Sequence, residues 1–286
     1  MNPDSPADIR ALLEERGLAL KKRWGQNFLV NRGARERLIS LLAPEPDDTV
    51  WEIGPGLGSM TILLAPRVAR LFAFEVDHGL CRYLTEEMGA FPSFRLVAGD
   101  FMETWKVTAA TQGAPDRVLG NLPYRSASLM IADIVEGGIL PGMMVVTVQR
   151  ELAQRMASRP GEKSYSSFSV LCQSCFTIQG RGDLKPGSFY PVPEVVSSVV
   201  EMRRRDDALT GTEALSLSAL LRGLFSARRK TLRNNVGSAS LVAAFPGASV
   251  EAALEGEGID LGMRAEQIDP AVFVRLARRL TGASAP

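Results

Sequence analysis

Between residues 50 and 148, short apolar runs alternate with amphipathic stretches of helical period, and few folds accept that pattern. Segments 50–53, 71–75, 95–97, 117–119 and 143–148 read as strands, and 59–65, 79–88 and 127–135 read as helices between them. A strand, a helix and a second strand in succession need a crossover, which makes the strands parallel and puts helices on both faces of the sheet. Before this region the spacing predicts a short helix over 8–16, a basic loop over 21–31 and an amphipathic helix over 32–42. After it, 167–178 and 195–202 are β-rich, with a turn-rich stretch over 180–193. Two such strands without a crossover read as an antiparallel pair closing the sheet edge. Beyond Arg203-Arg204-Arg205 the chain reads as helical, over 215–225, 250–254 and 271–280. The expected architecture is a Rossmann-like α/β domain over 1–205 with an antiparallel edge, then a small all-α domain over 206–286.

Composition bounds the setting. No apolar run approaches the ~20 residues of a membrane span. The first sixteen residues carry acids and no apolar signal-peptide core. Three cysteines, Cys81, Cys172 and Cys175, do not make a disulfide scaffold, so a reducing, cytoplasmic setting is expected. The net charge is only +1, but the charge is unevenly spread. Residues 21–37 hold Lys21, Lys22, Arg23, Arg32, Arg35 and Arg37 against Glu36 alone, and 222–233 hold Arg222, Arg228, Arg229, Lys230 and Arg233 with no acid. Two basic segments on an otherwise acidic chain suit a polyanion.

The chemical groups fall at the carboxyl ends of the strands, where open α/β sheets bind ligands. Gly54, Gly56 and Gly58 follow the first strand, and glycine there lets backbone approach a ligand. Glu75 ends the next strand, where a carboxylate takes ribose hydroxyls. Asp100 and Phe101 end the third, placed to accept from a base amine and to flank its ring. These positions predict a nucleoside cofactor. The spacing Gly-x-Gly-x-Gly, with Glu52 just before it, suits a cationic amino-acid tail better than a pyrophosphate. That favours S-adenosylmethionine over a dinucleotide, and methyl transfer over hydride transfer. Asn121-Leu122-Pro123-Tyr124 ends the fourth strand. The Asn121 side-chain oxygen and the Leu122 carbonyl can accept from a planar amine and localise its lone pair, Tyr124 can stack on the ring, and Pro123 stiffens the turn.

With these motifs the chain resembles the KsgA-type ribosomal RNA adenine dimethyltransferases, from about residue 21 to 235. Lys22-Arg23-Trp24-Gly25-Gln26-Asn27-Phe28-Leu29 is similar to the family's N-terminal motif, which closes over the methionine end of the cofactor. The resemblance implies cofactor contacts at Asn27 and Leu29, with Gln26 nearby, and at Gly54, Glu75, Asp100 and Asn121, to which the glycine motif adds Gly56. It implies that Phe189, in Ser188-Phe189-Tyr190-Pro191-Val192-Pro193, packs on the target adenine opposite Tyr124. It assigns RNA contact to Lys22 and Arg23 in the basic loop, and to Arg228, Arg229, Lys230 and Arg233 in a basic helix. It also implies a class I methyltransferase sheet. The expected activity is dimethylation at N6 of two adjacent adenosines near the 3′ end of small-subunit ribosomal RNA, with a role in subunit biogenesis. The expected partner is that RNA or a pre-assembled small subunit, met by a monomer without metal or membrane. The chain departs from the family at Tyr165-Ser166, where Tyr-Gly is usual, and in its near-neutral charge.

Other readings compete. A large-subunit dimethyltransferase of the antibiotic-resistance type shares most motifs, and a non-catalytic assembly factor would share the basic segments. Cys172-x-x-Cys175 lacks a second Cys or His pair, so zinc is not expected. His78, the only histidine, reads as a surface residue. Trp24, Trp51 and Trp105 read as packing. Ser59, Thr61 and Ser126 have no base partner for nucleophilic catalysis.

Overall fold

A computed structural model of the chain describes residues 2–21, 24–209 and 211–283. The elements are α1 (Pro6–Glu15), β1 (Phe28–Leu29), α2 (Arg32–Leu42), β2 (Thr49–Ile53), α3 (Thr61–Leu64), β3 (Arg70–Glu75), α4 (His78–Met88), β4 (Phe94–Ala98), α5 (Phe101–Gln112), β5 (Arg117–Asn121), α6 (Ala127–Glu136) and β6 (Met143–Gln149). There follow α7 (Arg150–Ala157), α8 (Ser167–Cys175), β7 (Phe176–Leu184), β8 (Phe189–Tyr190), β9 (Ser197–Arg204), α9 (Gly211–Leu224), α10 (Leu232–Asn235), α11 (Ala239–Ala244), α12 (Val250–Gly256) and α13 (Pro270–Ala283). No helix among the described residues is long and apolar enough to cross a membrane.

Seven strands form one sheet in the order β4-β3-β2-β5-β6-β9-β7. The first five are parallel, and β9 runs antiparallel to β6. This is the Rossmann-like sheet with an antiparallel edge that the alternation implied. β2 is buried at all five positions, as expected of a strand covered on both faces. Leu38, Ile39 and Leu42 of α2 pack into the main core with Val50, Leu71, Leu119 and Val145 from the central strands. A separate two-stranded sheet pairs β1 with β8, matching Phe28 to Tyr190 and Leu29 to Phe189.

Cap chemistry sets several helix starts. Asn31 accepts from the Ala34 N–H at 2.8 Å to open α2. Asp77 accepts from Gly79 at 2.7 Å to open α4, and Asp100 accepts from Met102 at 2.9 Å to open α5. The whole of α5 lay outside the sequence reading, although Asp100 followed by Phe101 and Glu103 carries its start signal.

Residues 167–178, expected as strand, instead form α8 and only then enter β7. Ser166 and Ser169 make a reciprocal capping box at its start. The helix is buried on nearly every side, at Ser169, Val170, Leu171, Cys172, Ser174 and Cys175, so it has no polar stripe to reveal a helical period. Its serines satisfy themselves: the Ser174 hydroxyl donates to the Val170 carbonyl at 2.7 Å. Ser166 has φ −157°, extended backbone that any residue adopts, so the glycine usual at this place is not required.

Backbone proximity divides the chain into two compact units. The first comprises Met1–Met130, Ile139–Ala153 and Gln179–Arg203, and carries most of the sheet. The second comprises Ile131–Gly138, Gln154–Ile178 and Arg204–Pro286. Its last segment starts close to Asp206, and two earlier segments join it. Within this unit the Tyr165 hydroxyl donates to the Ile268 carbonyl at 2.7 Å, and Ser218 donates to Glu136 at 2.8 Å. These bonds show why sequence order alone does not delimit it.

Candidate active site

Sheet order fixes where a ligand can sit. From β2 the chain steps outward through β3 and β4, then returns to the other side of β2 as β5. Ligands bind in the crevice that such a reversal leaves at the carboxyl ends of the strands. A cavity of about 460 Å³ opens there, within the first unit.

The β2 wall is backbone. Gly54 and Gly56 have φ +71° and +59°, the left-handed region that favours glycine. A Cβ on Gly56 would lie 2.9 Å from two carbons of the Phe28 ring. The bare backbone therefore leaves the cavity open and brings the Gly56 N–H to 3.3 Å from Glu75 Oε2. Glu75, at the end of β3, is nearly buried, and its Oε1 accepts from the Asp77 N–H at 2.8 Å. Burial pushes its carboxyl up to about 7, against the pull of the Asp77 and Gly56 N–H donors. A ligand hydroxyl pair is the donor this carboxylate is suited to meet. Asp100 lines the cavity at the α5 cap and is exposed. Phe101 also lines it, its ring held edge-on to Phe74 at 5.1 Å and stacked on Trp105 at 6.3 Å.

The basic N-terminal loop forms another wall through Trp24, Gly25, Gln26, Asn27 and Leu29. It is tied to the α4 cap. Gln26 Nε2 donates to Asp77 Oδ2 at 3.4 Å, and Lys21 Nζ lies 3.2 Å from the same oxygen and 4.2 Å from the Trp24 ring centre. Burial raises the Asp77 pKa, but the Gly79 N–H and Lys21 outweigh it, so the carboxyl stays below its ordinary range.

Asn121, Pro123 and Tyr124 line the same cavity. Asn121 Nδ2 donates to the Asn27 carbonyl at 2.7 Å, and its Oδ1 accepts from the Thr147 hydroxyl. The Tyr124 and Ser197 hydroxyls share a hydrogen bond of 2.6 Å. The Leu122 side chain is buried, while its N–H donates to the Thr147 carbonyl at 3.1 Å.

Three expectations are corrected. Glu52 is fully buried and absent from the cavity lining. Its Oε2 accepts from the Thr61 hydroxyl at 2.7 Å, tying β2 to α3, and Oε1 has no hydrogen-bond partner among the described residues. Glu52 pairs with Ala73, two residues before Glu75, so its side chain lies one row deeper in the sheet and stops against α3. Burial raises this carboxyl too, to about 7. Phe189 sits in the main core beside Leu29 and Leu38, 1% exposed, and does not line the cavity. Its antiparallel match with Leu29 turns it inward; Trp24, Phe28, Phe74 and Phe101 are the rings that share the cavity with Tyr124. Of the basic residues of the signature, only Arg233 is helical, in α10, and Arg228, Arg229 and Lys230 lie in a turn between α9 and α10. There the Arg228 guanidinium is spent internally, on Glu266 at 3.0 Å and on the Lys163 and Tyr165 carbonyls at 2.9 and 2.7 Å. Arg229, Lys230 and Arg233 are exposed, and buried Asn235 pins the turn by donating to the Leu224 carbonyl at 2.7 Å. Lys22 and Arg23 lie outside the described residues.

Trp24, Arg125 and Gln149 also line the cavity and were not singled out as ligand contacts from sequence. The register of β6 could have found Gln149, since it lies two positions beyond the residue facing Asn121. Cys172 and Cys175 are buried, with burial pushing both thiols up. Among the described residues, no group of three or more His, Cys, Asp or Glu is placed to hold a metal ion.

The family described as "Ribosomal RNA adenine dimethylase" matches residues 17–281. A protein of Treponema pallidum named "Ribosomal RNA small subunit methyltransferase A" is 39% identical, covering 98% of this chain and 97% of its own length. A protein of the same name from Treponema denticola is 39% identical over 83% of this chain and 82% of its own. Among solved structures, a dimethyladenosine transferase from Plasmodium falciparum has the same fold, with a TM-score of 0.74 at 21% identity, covering 88% of this chain and 97% of that one. The 23S rRNA methyltransferase ErmE is similar with a TM-score of 0.62 at 26% identity, covering 89% and 99%.

Proposed function

The chain belongs to the ribosomal RNA adenine dimethylase family, and we propose that it moves methyl groups from S-adenosylmethionine to N6 of adenine in small-subunit ribosomal RNA. The observation that carries the reading is one cavity that joins a cofactor wall to an amine-accepting corner. Gly54, Gly56, Glu75 and Asp100 form the first, and Asn121, Pro123 and Tyr124 form the second. The relatives named for the small subunit match at 39% over most or nearly all of this chain, whereas the large-subunit enzyme matches at 26%. That difference favours the small-subunit substrate, and two adjacent adenosines near the RNA 3′ end are the proposed target.

The cavity residues fit the cofactor. Glu75 offers carboxylate oxygens for ribose hydroxyls, the bare Gly54–Gly56 backbone leaves room for the sugar and tail, and Asp100 stands ready for an adenine amine. When bound, S-adenosylmethionine supplies an electrophilic methyl on a sulfonium. The protein's part is placement. The target base leaves its stack, at a cost of a few kcal/mol that is smaller in a loop than in a duplex. Tyr124 receives the ring face. Asn121 Oδ1 and the Leu122 carbonyl accept from the N6 amine, which turns its lone pair out of conjugation and towards the methyl. The alkylated amine is acidic enough to release its proton to water, so no dedicated base is required.

The deciding experiment incubates the protein and S-adenosylmethionine with ribosomal RNA from cells that lack this activity. Mass spectrometry of the digested nucleosides should find N6,N6-dimethyladenosine in small-subunit RNA. The mark in large-subunit RNA alone would transfer the assignment to the resistance-type reaction.

The basic turn yields a second expectation. Arg229→Ala and Lys230→Ala should each lower the log–log salt slope of RNA binding by about one, the signature of a lost phosphate contact. Arg228→Ala should instead lower the melting temperature, because it strips Glu266 and two carbonyls of their donor, and should leave the slope in place. A slope that falls equally for all three variants would show that the Arg228 ion pair opens to meet RNA.

A further inference from the structure

We infer that Thr147 and Ser197, on the antiparallel strands β6 and β9, are positioning residues for Asn121 and Tyr124. The inference rests on the reading that those two residues handle the target adenine.

Register brings the four together. Thr147 lies directly opposite Asn121 in the parallel β5–β6 ladder. Ser197 lies opposite Gln149 in the antiparallel β6–β9 ladder, two residues further along β6. Both hydroxyl residues are fully buried. A buried hydroxyl needs a partner, and these two take theirs from side chains at and just beyond the end of β5. The Thr147 hydroxyl donates to Asn121 Oδ1, and the Ser197 hydroxyl bonds the Tyr124 hydroxyl at 2.6 Å.

The Asn121 amide is thereby held at both ends. Its Nδ2 donates to the Asn27 carbonyl while its Oδ1 accepts from Thr147. Rotating the amide by half a turn would set Oδ1 against the Asn27 carbonyl oxygen, two acceptors face to face. The orientation with Oδ1 as acceptor is therefore fixed, and its second lone pair stays available for an amine N–H. For Tyr124, the bond to the buried Ser197 hydroxyl anchors the phenol end of the ring that lines the cavity. β6 and its antiparallel neighbour β9 thus brace the loop that ends β5.

The test compares Thr147→Val, Thr147→Ser, Ser197→Ala, Tyr124→Phe and the Ser197→Ala/Tyr124→Phe double variant, with Asn121→Ala and Tyr124→Ala as controls. Loss of one orienting hydrogen bond should lower kcat for RNA methylation about three- to tenfold in Thr147→Val and Ser197→Ala. Thr147→Ser, which restores the hydroxyl, should regain the wild-type kcat. Ser197→Ala should leave cofactor Kd unchanged. Added to Tyr124→Phe it should cost nothing further, because both changes delete the same bond. Wild-type kcat in Thr147→Val and Ser197→Ala, with both controls inactive, would overturn the positioning inference and leave the site reading standing. So would a Ser197→Ala loss that persists in full on top of Tyr124→Phe, which marks a merely structural effect. If Asn121→Ala and Tyr124→Ala also turn over at the wild-type rate, the site reading itself fails.

Discussion

Tyr124→Ala is expected to abolish most methyl transfer while leaving cofactor binding intact. Stacking of a base on an aromatic ring is worth about 1–3 kcal/mol, or roughly five- to 150-fold in binding. The larger effect is on geometry, since an extruded base without a platform no longer presents N6 in line with the methyl. Together these losses should lower kcat/KM by about a hundredfold or more. The Tyr124 ring lines the cavity at the amine-accepting corner, away from Glu75 at the end of β3, so the affinity for S-adenosylmethionine should stay within about twofold of wild type, less than one net hydrogen bond. Tyr124→Phe keeps the platform but loses the bond to Ser197, so it should lose only about three- to tenfold. Single-turnover kinetics on small-subunit RNA, paired with calorimetry for the cofactor, separates the two quantities. A Tyr124→Ala enzyme at the wild-type rate would remove Tyr124 from the target pocket.

The parts of this molecule that could be read from sequence are those fixed by local rules. Alternation of apolar runs specified the parallel sheet, and strand ends located Gly54, Glu75, Asp100 and Asn121 on one cavity because sheet topology leaves them no other place. The errors share a physical origin in long-range packing. Glu52 and Glu75 both lie near strand ends and on one face of the sheet, yet Glu52 is level with Ala73, two residues short of Glu75, so it meets Thr61 while Glu75 reaches the cavity, a depth set by the register between β2 and β3. Phe189 matched a motif, but its pairing with Leu29 from the other end of the domain turned it into the core. Arg228 and Arg229 are neighbours of the same type, and only the return of the chain at Glu266 separates them. α8 escaped because a helix buried on all sides shows no period. Thr147 and Ser197 are ordinary strand residues until register sets them beside Asn121 and Tyr124.

Glu75→Ala is expected to weaken S-adenosylmethionine binding by about a hundredfold or more, since each hydrogen bond to a charged acceptor is worth about 1.5–3 kcal/mol and two ribose hydroxyls lose theirs. The pH dependence identifies the group. Burial raises the Glu75 carboxyl to about 7, against the Asp77 and Gly56 N–H donors. Ribose hydroxyls donate best to the ionised form, so affinity should be greatest above pH 7 and should weaken as pH falls through 7, by up to about tenfold per unit. Stability of the ligand-free protein should run the other way. A carboxyl with a raised folded-state pKa contributes stability below its ordinary value of 4.5, and that contribution is lost as pH rises through about 7. Glu52, also raised to about 7, adds to the same trend without touching the cavity. The two carboxyls can therefore be told apart. Glu52→Gln should lessen the fall in stability between about pH 4.5 and 7, leaving the part due to Glu75, and should leave the pH profile of cofactor affinity in place. Glu75→Gln should flatten the affinity profile as well. Calorimetric Kd values and melting temperatures across that range are the measurement. An affinity profile that still bends near pH 7 in Glu75→Gln, or that flattens in Glu52→Gln, would assign the cofactor carboxylate to Glu52 and reverse the placement argued for the end of β3.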